Sequence, residues 1–72
     1  MIELPLLSVI ALMKELPEKN LRRGQVGTIV EELAPGVYEV EFSDDQGRTY
    51  ASVALPGDHL LRLYHEPKRH AA

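Results

Sequence analysis

Carboxylates on one predicted strand are the residues best placed to do chemistry in this chain. Glu39 and Glu41 alternate with apolar residues in the stretch VYEVEF, so in a β-strand both side chains lie on the same face. Either Glu31 or Glu32 could lie opposite them across a hairpin. Clustered carboxylates can bind a hard cation or act as an acid/base pair. We favour a solvated face that docks a basic partner, because no loop with alternating oxygen ligands accompanies them.

The second candidate is the stretch RRGQVGTIV, where a basic pair precedes two glycines. It resembles the start of a strand in KOW-type barrels, in which loop and strand can contact RNA or ribosomal protein. In the structural alternative, Gly24 supplies a positive φ and Gly27 marks a bulge or a close backbone approach. We favour this alternative because the acids that follow would repel phosphate. Arg22 and Arg23 are then expected to flank the acidic face.

Residues for covalent or metal chemistry are sparse. The chain has no cysteine, and none of its three serines lies in a glycine-flanked elbow. No two histidines have the i, i+4 spacing of a helical metal site; they are His59, His65 and His70. We therefore expect no enzyme activity, no metal and no cofactor.

The composition indicates one small globular domain, which we place at residues 1–66, followed by a flexible tail at 67–72. Of the 72 residues, 44% are hydrophobic and 26% charged, which excludes a disordered chain. Aromatic residues make up only 6%, so aliphatic side chains must build the core. A core this small contributes little stability, so a weak homo-oligomer or a protein partner would help.

The charge is unevenly distributed along the chain. The net charge is −3, and six acidic residues but no lysine or arginine lie between Gly24 and Gly47. This pattern favours neither nucleic acid nor a membrane surface as a partner. The apolar run from Leu4 to Met13 is about half of the roughly 20 residues that a membrane span needs. Glu3 precedes it where a signal peptide has a basic residue, so we expect a soluble cytoplasmic protein.

Alternating side chains predict three strands in the middle of the chain. Strands at 25–33 and 37–42 form a hairpin around the Ala-Pro-Gly turn at 34–36. A turn at 43–47 leads to a third strand at 48–55. Tyr50 and Ser52 of that strand are predicted to face away from the core. Its core-facing set is predicted to be Thr49, Ala51, Val53 and Leu55.

The two ends of the domain complete the predicted fold. The first apolar segment fits a helix through Leu6, Ile10 and Met13, or a strand at 7–12. We favour the strand because Pro5 and Pro17 leave little room for a capped helix. A 3₁₀ turn at 56–60 is predicted before a last strand at 60–64. Five antiparallel strands that curl to remove their exposed edges predict an all-β, SH3-like barrel.

The segment from Leu6 to Leu63 resembles an uncharacterised bacterial family of small proteins that is common in cyanobacteria. The resemblance rests on GQVGTIV, YEVEF and GRTYA. It implies an SH3-like barrel. It also implies a gene neighbourhood of small toxin-like proteins, and so an antitoxin or immunity role. Ser8 stands where the family usually has an acid, and no catalytic residue carries over.

These observations predict a small protein-interaction module rather than an enzyme. We expect a protein partner, encoded beside it and possibly basic and toxin-like, to contact Glu32, Glu39 and Glu41. Arg22, Arg23 and Tyr50 are expected at the edges of that surface. The alternative is a KOW-type module associated with nucleic acid or the ribosome, which would use Arg22, Arg23 and Arg48.

Overall fold

A computed structural model describes residues 3–68, which form a single antiparallel sheet of five strands. The strand order in the sheet is β4-β3-β2-β1-β5. Short 3₁₀ turns lie at Pro17–Lys19 and Gly57–His59. The predicted all-β class, with a 3₁₀ turn before the last strand, is confirmed. The strands are β1 (Val9–Leu12), β2 (Val26–Ala34), β3 (Val37–Ser43), β4 (Thr49–Pro56) and β5 (Leu60–Arg62).

The first apolar segment is a strand, as predicted, but it begins later than expected. The N–H of Ser8 donates to the carbonyl of Pro5 at 3.2 Å, so Leu6 and Leu7 form the centre of a tight turn. Leu7 has a φ of 67°, which is left-handed backbone that a leucine rarely adopts. The Leu7 N–H donates to the Ile29 carbonyl, and the Ile29 N–H donates to the Ser8 carbonyl. Two residues therefore oppose one, which is a β-bulge.

The central hairpin forms where the sequence predicts it, with Gly36 at a φ of 77° in its turn. The pairing between β2 and β3 is interrupted twice, between Ile29 and Glu31 and between Glu32 and Ala34. A third interruption follows Phe42 in the pairing of β3 with β4. Each one shifts which side chains share a face, and these shifts determine the geometry described below.

The core lies on one face of the sheet and is built on the alternation in β3. Tyr38, Val40 and Phe42 are buried, as predicted, and lie opposite residues 55, 53 and 51 of β4. Leu55 is buried, and Ala51 and Val53 pack against the core, which confirms three of the four residues predicted for that face. The prediction was wrong for Thr49, which is exposed because the bulge after Phe42 changes the alternation. The remaining buried apolar residues are Leu4, Ile10, Leu12, Leu21, Ile29 and Leu60.

The strand pairing of the described residues is an open ladder with β4 and β5 at its ends. Closure into an SH3-like barrel therefore stays a prediction. No helix among residues 3–68 is long and apolar enough to cross a membrane. Pro67 and Lys68, at the start of the predicted tail, are exposed, and residues 69–72 lie outside the described part of the chain.

Candidate functional site

Three carboxylates occupy neighbouring positions on the outer face of the hairpin. Glu39 and Glu41 are both half-buried on that face of β3, as predicted. Glu31 lies directly opposite Glu39 in the register of β2 and β3. Ser52, opposite Glu41 on β4, donates its hydroxyl to Glu39 Oε2 at 2.5 Å. The hydroxyl bonds to only one of these acids, so this part of the outer face carries three acidic side chains and one neutral hydroxyl.

Glu32 is not part of this group. The interruption between Ile29 and Glu31 leaves Val30 without a partner, so Glu32 lies opposite Tyr38, whose ring faces the core. Glu32 is exposed and lines an open depression together with Glu3 and residues 4–6. Of the two glutamates that could lie across from Glu39 and Glu41, the structure places Glu31 there.

An apolar row continues the outer face beside the carboxylates. Ala11 of β1 lies opposite Val26 on one side and opposite Leu61 on the other. Val26 and Leu61 are 50% and 52% exposed, and Met13, just beyond β1, is 46% exposed. Thr28 separates this row from the acids, since it lies opposite Glu41. The outer face is therefore apolar over β5, β1 and the start of β2, and acidic over the hairpin.

Tyr50 was predicted to lie on the outer side of β4, but its ring packs beside the core. The bulge after Phe42 leaves Tyr50 without a direct partner, and its ring centroid lies 6.5 Å from that of the buried Phe42. Its hydroxyl accepts a hydrogen bond from Gln25 Nε2 at 2.7 Å. Tyr50 therefore packs at the rim of the core, whereas Ser52 faces outward as predicted. The prediction that both share the outer side was wrong for Tyr50.

The basic pair lies in a tight turn at the start of β2. The Gln25 N–H donates to the Arg22 carbonyl at 3.1 Å, and Gly24 within the turn has a φ of 96°. The Gln25 side chain in turn accepts from the Arg22 N–H, so Arg22 and Tyr50 are joined through Gln25. Both arginine side chains are exposed. The positive φ predicted for Gly24 is confirmed.

Gly27 is the second glycine of this stretch, and it is held by close packing. A Cβ at this position would lie 2.8 Å from Val40 Cγ1 and 2.9 Å from the Glu41 carbonyl oxygen. The predicted close backbone approach is confirmed. Both glycines of the RRGQVGTIV stretch are thus required by the fold itself.

A comparison with known protein families shows to which family the chain belongs. The profile of a domain of unknown function, DUF4926, matches residues 6–62. The chain belongs to the DUF4926 family. No curated protein and no solved structure matches it. All five strands lie within the range matched to DUF4926, so the outer face described above is part of the family domain.

The charged contact that Arg48 makes in this DUF4926 chain is local. Arg48 Nε donates to Asp44 Oδ2 at 3.1 Å across the turn between β3 and β4. The backbone N–H of Arg48 donates to Asp44 Oδ1 at 2.9 Å, and this bond is the main cause that lowers the pKa of Asp44. Arg48 is therefore paired with an acid of its own turn.

The metal-ligating side chains of the DUF4926 chain are dispersed over the described residues. Within residues 3–68, no three histidine or carboxylate side chains lie close enough together to hold a metal ion. His59 Nε2 lies 3.9 Å from Asp58 Oδ1. The buried Ser8 hydroxyl donates to the Pro5 carbonyl at 2.7 Å and stabilises the turn before β1. His70 lies outside the described residues.

Sequence reasoning missed the apolar row of the DUF4926 domain. Its signal was present in SVIALM, where Val9, Ala11 and Met13 alternate with the buried Ile10 and Leu12. A strand that is apolar at every position usually has both of its faces buried. In the described residues, only the Ile10 and Leu12 face of β1 is buried. The row became visible only when the register placed Val26 and Leu61 on either side of Ala11.

Proposed function

We propose that this DUF4926 protein is a small, non-enzymatic protein-interaction module that docks a basic partner on the outer face of its sheet. One observation carries the proposal: an apolar row made of the exposed Leu61 and Val26 and the half-buried Ala11 lies beside the carboxylates of Glu31, Glu39 and Glu41. Protein interfaces combine an apolar centre with a polar rim, so an apolar row bordered by polar side chains suits a docking surface.

The two halves of this face would make different contributions to binding. Burial of apolar surface contributes about 25 cal/mol per Å², so the apolar row supports affinity. The carboxylates raise the association rate for a basic partner and disfavour acidic ones. A partner with an apolar centre and lysine or arginine on one side fits both halves.

We extend the proposal to an antitoxin or immunity role in the cytoplasm. The support is the gene neighbourhood that the family resemblance implies, together with the sign of the charge on the outer face. A rigid acidic face could cover a basic active-site groove of an adjacently encoded protein and exclude its RNA or nucleotide substrate.

A KOW-type module associated with nucleic acid or the ribosome remains the alternative. It needs Arg22, Arg23 and Arg48 on one face that is free of acids. The bond between Arg48 and Asp44 weighs against it. The exposed Arg22 and Arg23 alone supply little of the phosphate neutralisation that such binding requires.

The proposal is tested by capture from lysate of the native host with three tagged proteins: wild type, Glu39→Lys/Glu41→Lys, and Glu15→Lys/Glu18→Lys. Both double variants change the net charge equally, and Glu15 and Glu18 are exposed in the loop after β1. We expect one stoichiometric protein with wild type and with the loop variant, and its loss with the outer-face variant. Circular dichroism confirms that each variant folds.

Two outcomes would contradict this function. If capture is unchanged in Glu39→Lys/Glu41→Lys, the acidic half of the outer face is not the binding surface. Capture that disappears after nuclease treatment would favour the alternative, and its affinity should then fall steeply with salt.

A further inference from the structure

The free edge of β4 carries backbone groups that no described residue satisfies. The Gly57 N–H donates to the Gly36 carbonyl at 2.9 Å, which fixes the phase of the hydrogen bonds between β3 and β4. Because hydrogen-bonded pairs alternate in an antiparallel ladder, residues 51, 53 and 55 bond to β3. Ser52 and Ala54 therefore direct their N–H and C=O groups away from the sheet. Within residues 3–68, β4 pairs with β3 alone.

The composition of β4 leaves this edge unprotected along most of its length. Natural edge strands are usually short, or carry charges or prolines that discourage pairing with another strand. The eight residues of β4, TYASVALP, include no charged side chain. Only Pro56 provides such protection, and it lies at the very end, at a position whose N–H would point outward.

We propose that the β4 edge binds an extended segment of a partner protein as a sixth strand, with apolar and basic residues alternating along that segment. Main-chain hydrogen bonds to Ser52 and Ala54 would provide affinity, as in other cases of strand addition. The proposal rests on the proposed function, since it specifies how a protein partner engages the sheet.

The side chains around the edge determine the alternation of the partner strand. On the core side, Ala51 and Val53 are only half-buried, so they favour apolar neighbours. On the outer side, Ser52 and Ala54 lie opposite Glu41 and Glu39 of β3. Strands are about 4.8 Å apart, so the added strand lies roughly 10 Å from β3, within reach of an extended lysine or arginine.

The same charges disfavour a second copy of this chain on the edge. Antiparallel pairing of two β4 strands would place the Glu39 and Glu41 of one copy on the same face as those of the other. A basic segment would instead be attracted to the carboxylates of Glu39 and Glu41.

The test uses an acetylated ten-residue peptide that alternates valine and lysine as the probe. We expect saturable binding by titration, with amide hydrogen exchange slowed at Ser52 and Ala54. We expect affinity at least tenfold weaker for a valine–glutamate peptide and for the valine–lysine peptide with N-methylated alternate amides. The Ala54→Pro variant, which removes one outward N–H and keeps the bonds to β3, should show the same loss, whereas Ala54→Ser should not.

Three outcomes would overturn the proposal: equal binding of the valine–glutamate peptide, no protection of Ser52 and Ala54, or protection of these amides by protein concentration alone, which would identify a second copy. Failure of the edge remains distinguishable from failure of the proposed function. Suppose that a lysate partner is lost with Glu39→Lys/Glu41→Lys but retained with Ala54→Pro. That result would support the proposed function and would contradict binding at the β4 edge.

Discussion

The hydroxyl of Tyr38 accepts a hydrogen bond from the backbone N–H of Leu4 at 3.1 Å, although the two residues are 34 positions apart. Tyr38 is only 1% exposed and the bond is buried, so it fastens the segment before β1 to the hairpin within the core. That segment leads directly into the turn at residues 5–8 that precedes β1. Tyr38 therefore links the start of β1 to β3.

Replacing Tyr38 by Phe keeps the ring and removes the acceptor for the Leu4 N–H. A buried donor left without a partner costs about 1–3 kcal/mol, so we expect the free energy of unfolding to fall by about that amount. Urea denaturation measures the change. Tyr64→Phe is the control, since Tyr64 is exposed and its variant should change stability by less than about 0.5 kcal/mol.

Gly27→Ala should destabilise the protein through overpacking. Its Cβ would meet Val40 Cγ1 and the Glu41 carbonyl oxygen at 2.8 and 2.9 Å, and the carbonyl cannot move without disturbing β3. We expect a loss of about 2–3 kcal/mol in thermal or urea unfolding. Gly47→Ala is the comparison, because its Cβ has open space and only the φ of 81° opposes it, at about 1 kcal/mol. Equal losses would contradict the close approach at Gly27.

Leu7→Gly should leave stability unchanged or raise it by up to about 1.5 kcal/mol. Left-handed backbone costs a residue such as leucine about 1–2 kcal/mol, whereas glycine loses about 0.5–1 kcal/mol through its greater freedom when unfolded. The Leu7 side chain is 73% exposed, so little buried surface is removed. Leu6→Gly, in the same turn without a positive φ, should lower stability by about 0.5–1 kcal/mol. If Leu7→Gly lowers stability more than Leu6→Gly does, the backbone at Leu7 is not strained.

Asp44 should make folding stability depend on pH in the acid range. Its pKa is lowered mainly by the Arg48 N–H, so the stabilisation is present above the ordinary aspartate pKa of about 3.9 and is lost as the pH falls through the folded-state value. Wild type should exceed Asp44→Asn in stability at pH 7, and the difference should shrink below about pH 4. A carbon NMR titration of Asp44 with a midpoint at or above the ordinary value would contradict this.

The sequence predicted the strands and most of the core because alternation within one strand is a local property. VYEVEF placed Tyr38, Val40 and Phe42 inward and Glu39 and Glu41 outward without knowledge of any neighbour. The positions that differ, Glu32, Thr49 and Tyr50, each lie in or next to a bulge. An extra residue in a strand is set by pairing with the partner strand, so alternation alone cannot reveal it.

The bulge after Ile29 has a consequence for charge that can be measured. It places Glu31, and not Glu32, directly opposite Glu39, and like charges in that relationship are destabilising. Glu31→Lys would replace the repulsion by a cross-strand ion pair, so we expect a gain of about 0.2–1 kcal/mol at low salt that diminishes in 1 M NaCl. Glu32→Lys makes the same change in net charge opposite Tyr38 and should give no such gain. If Glu32→Lys were the stabilising variant, the register between β2 and β3 would be continuous, and the carboxylate group on the outer face would consist of Glu32, Glu39 and Glu41 after all.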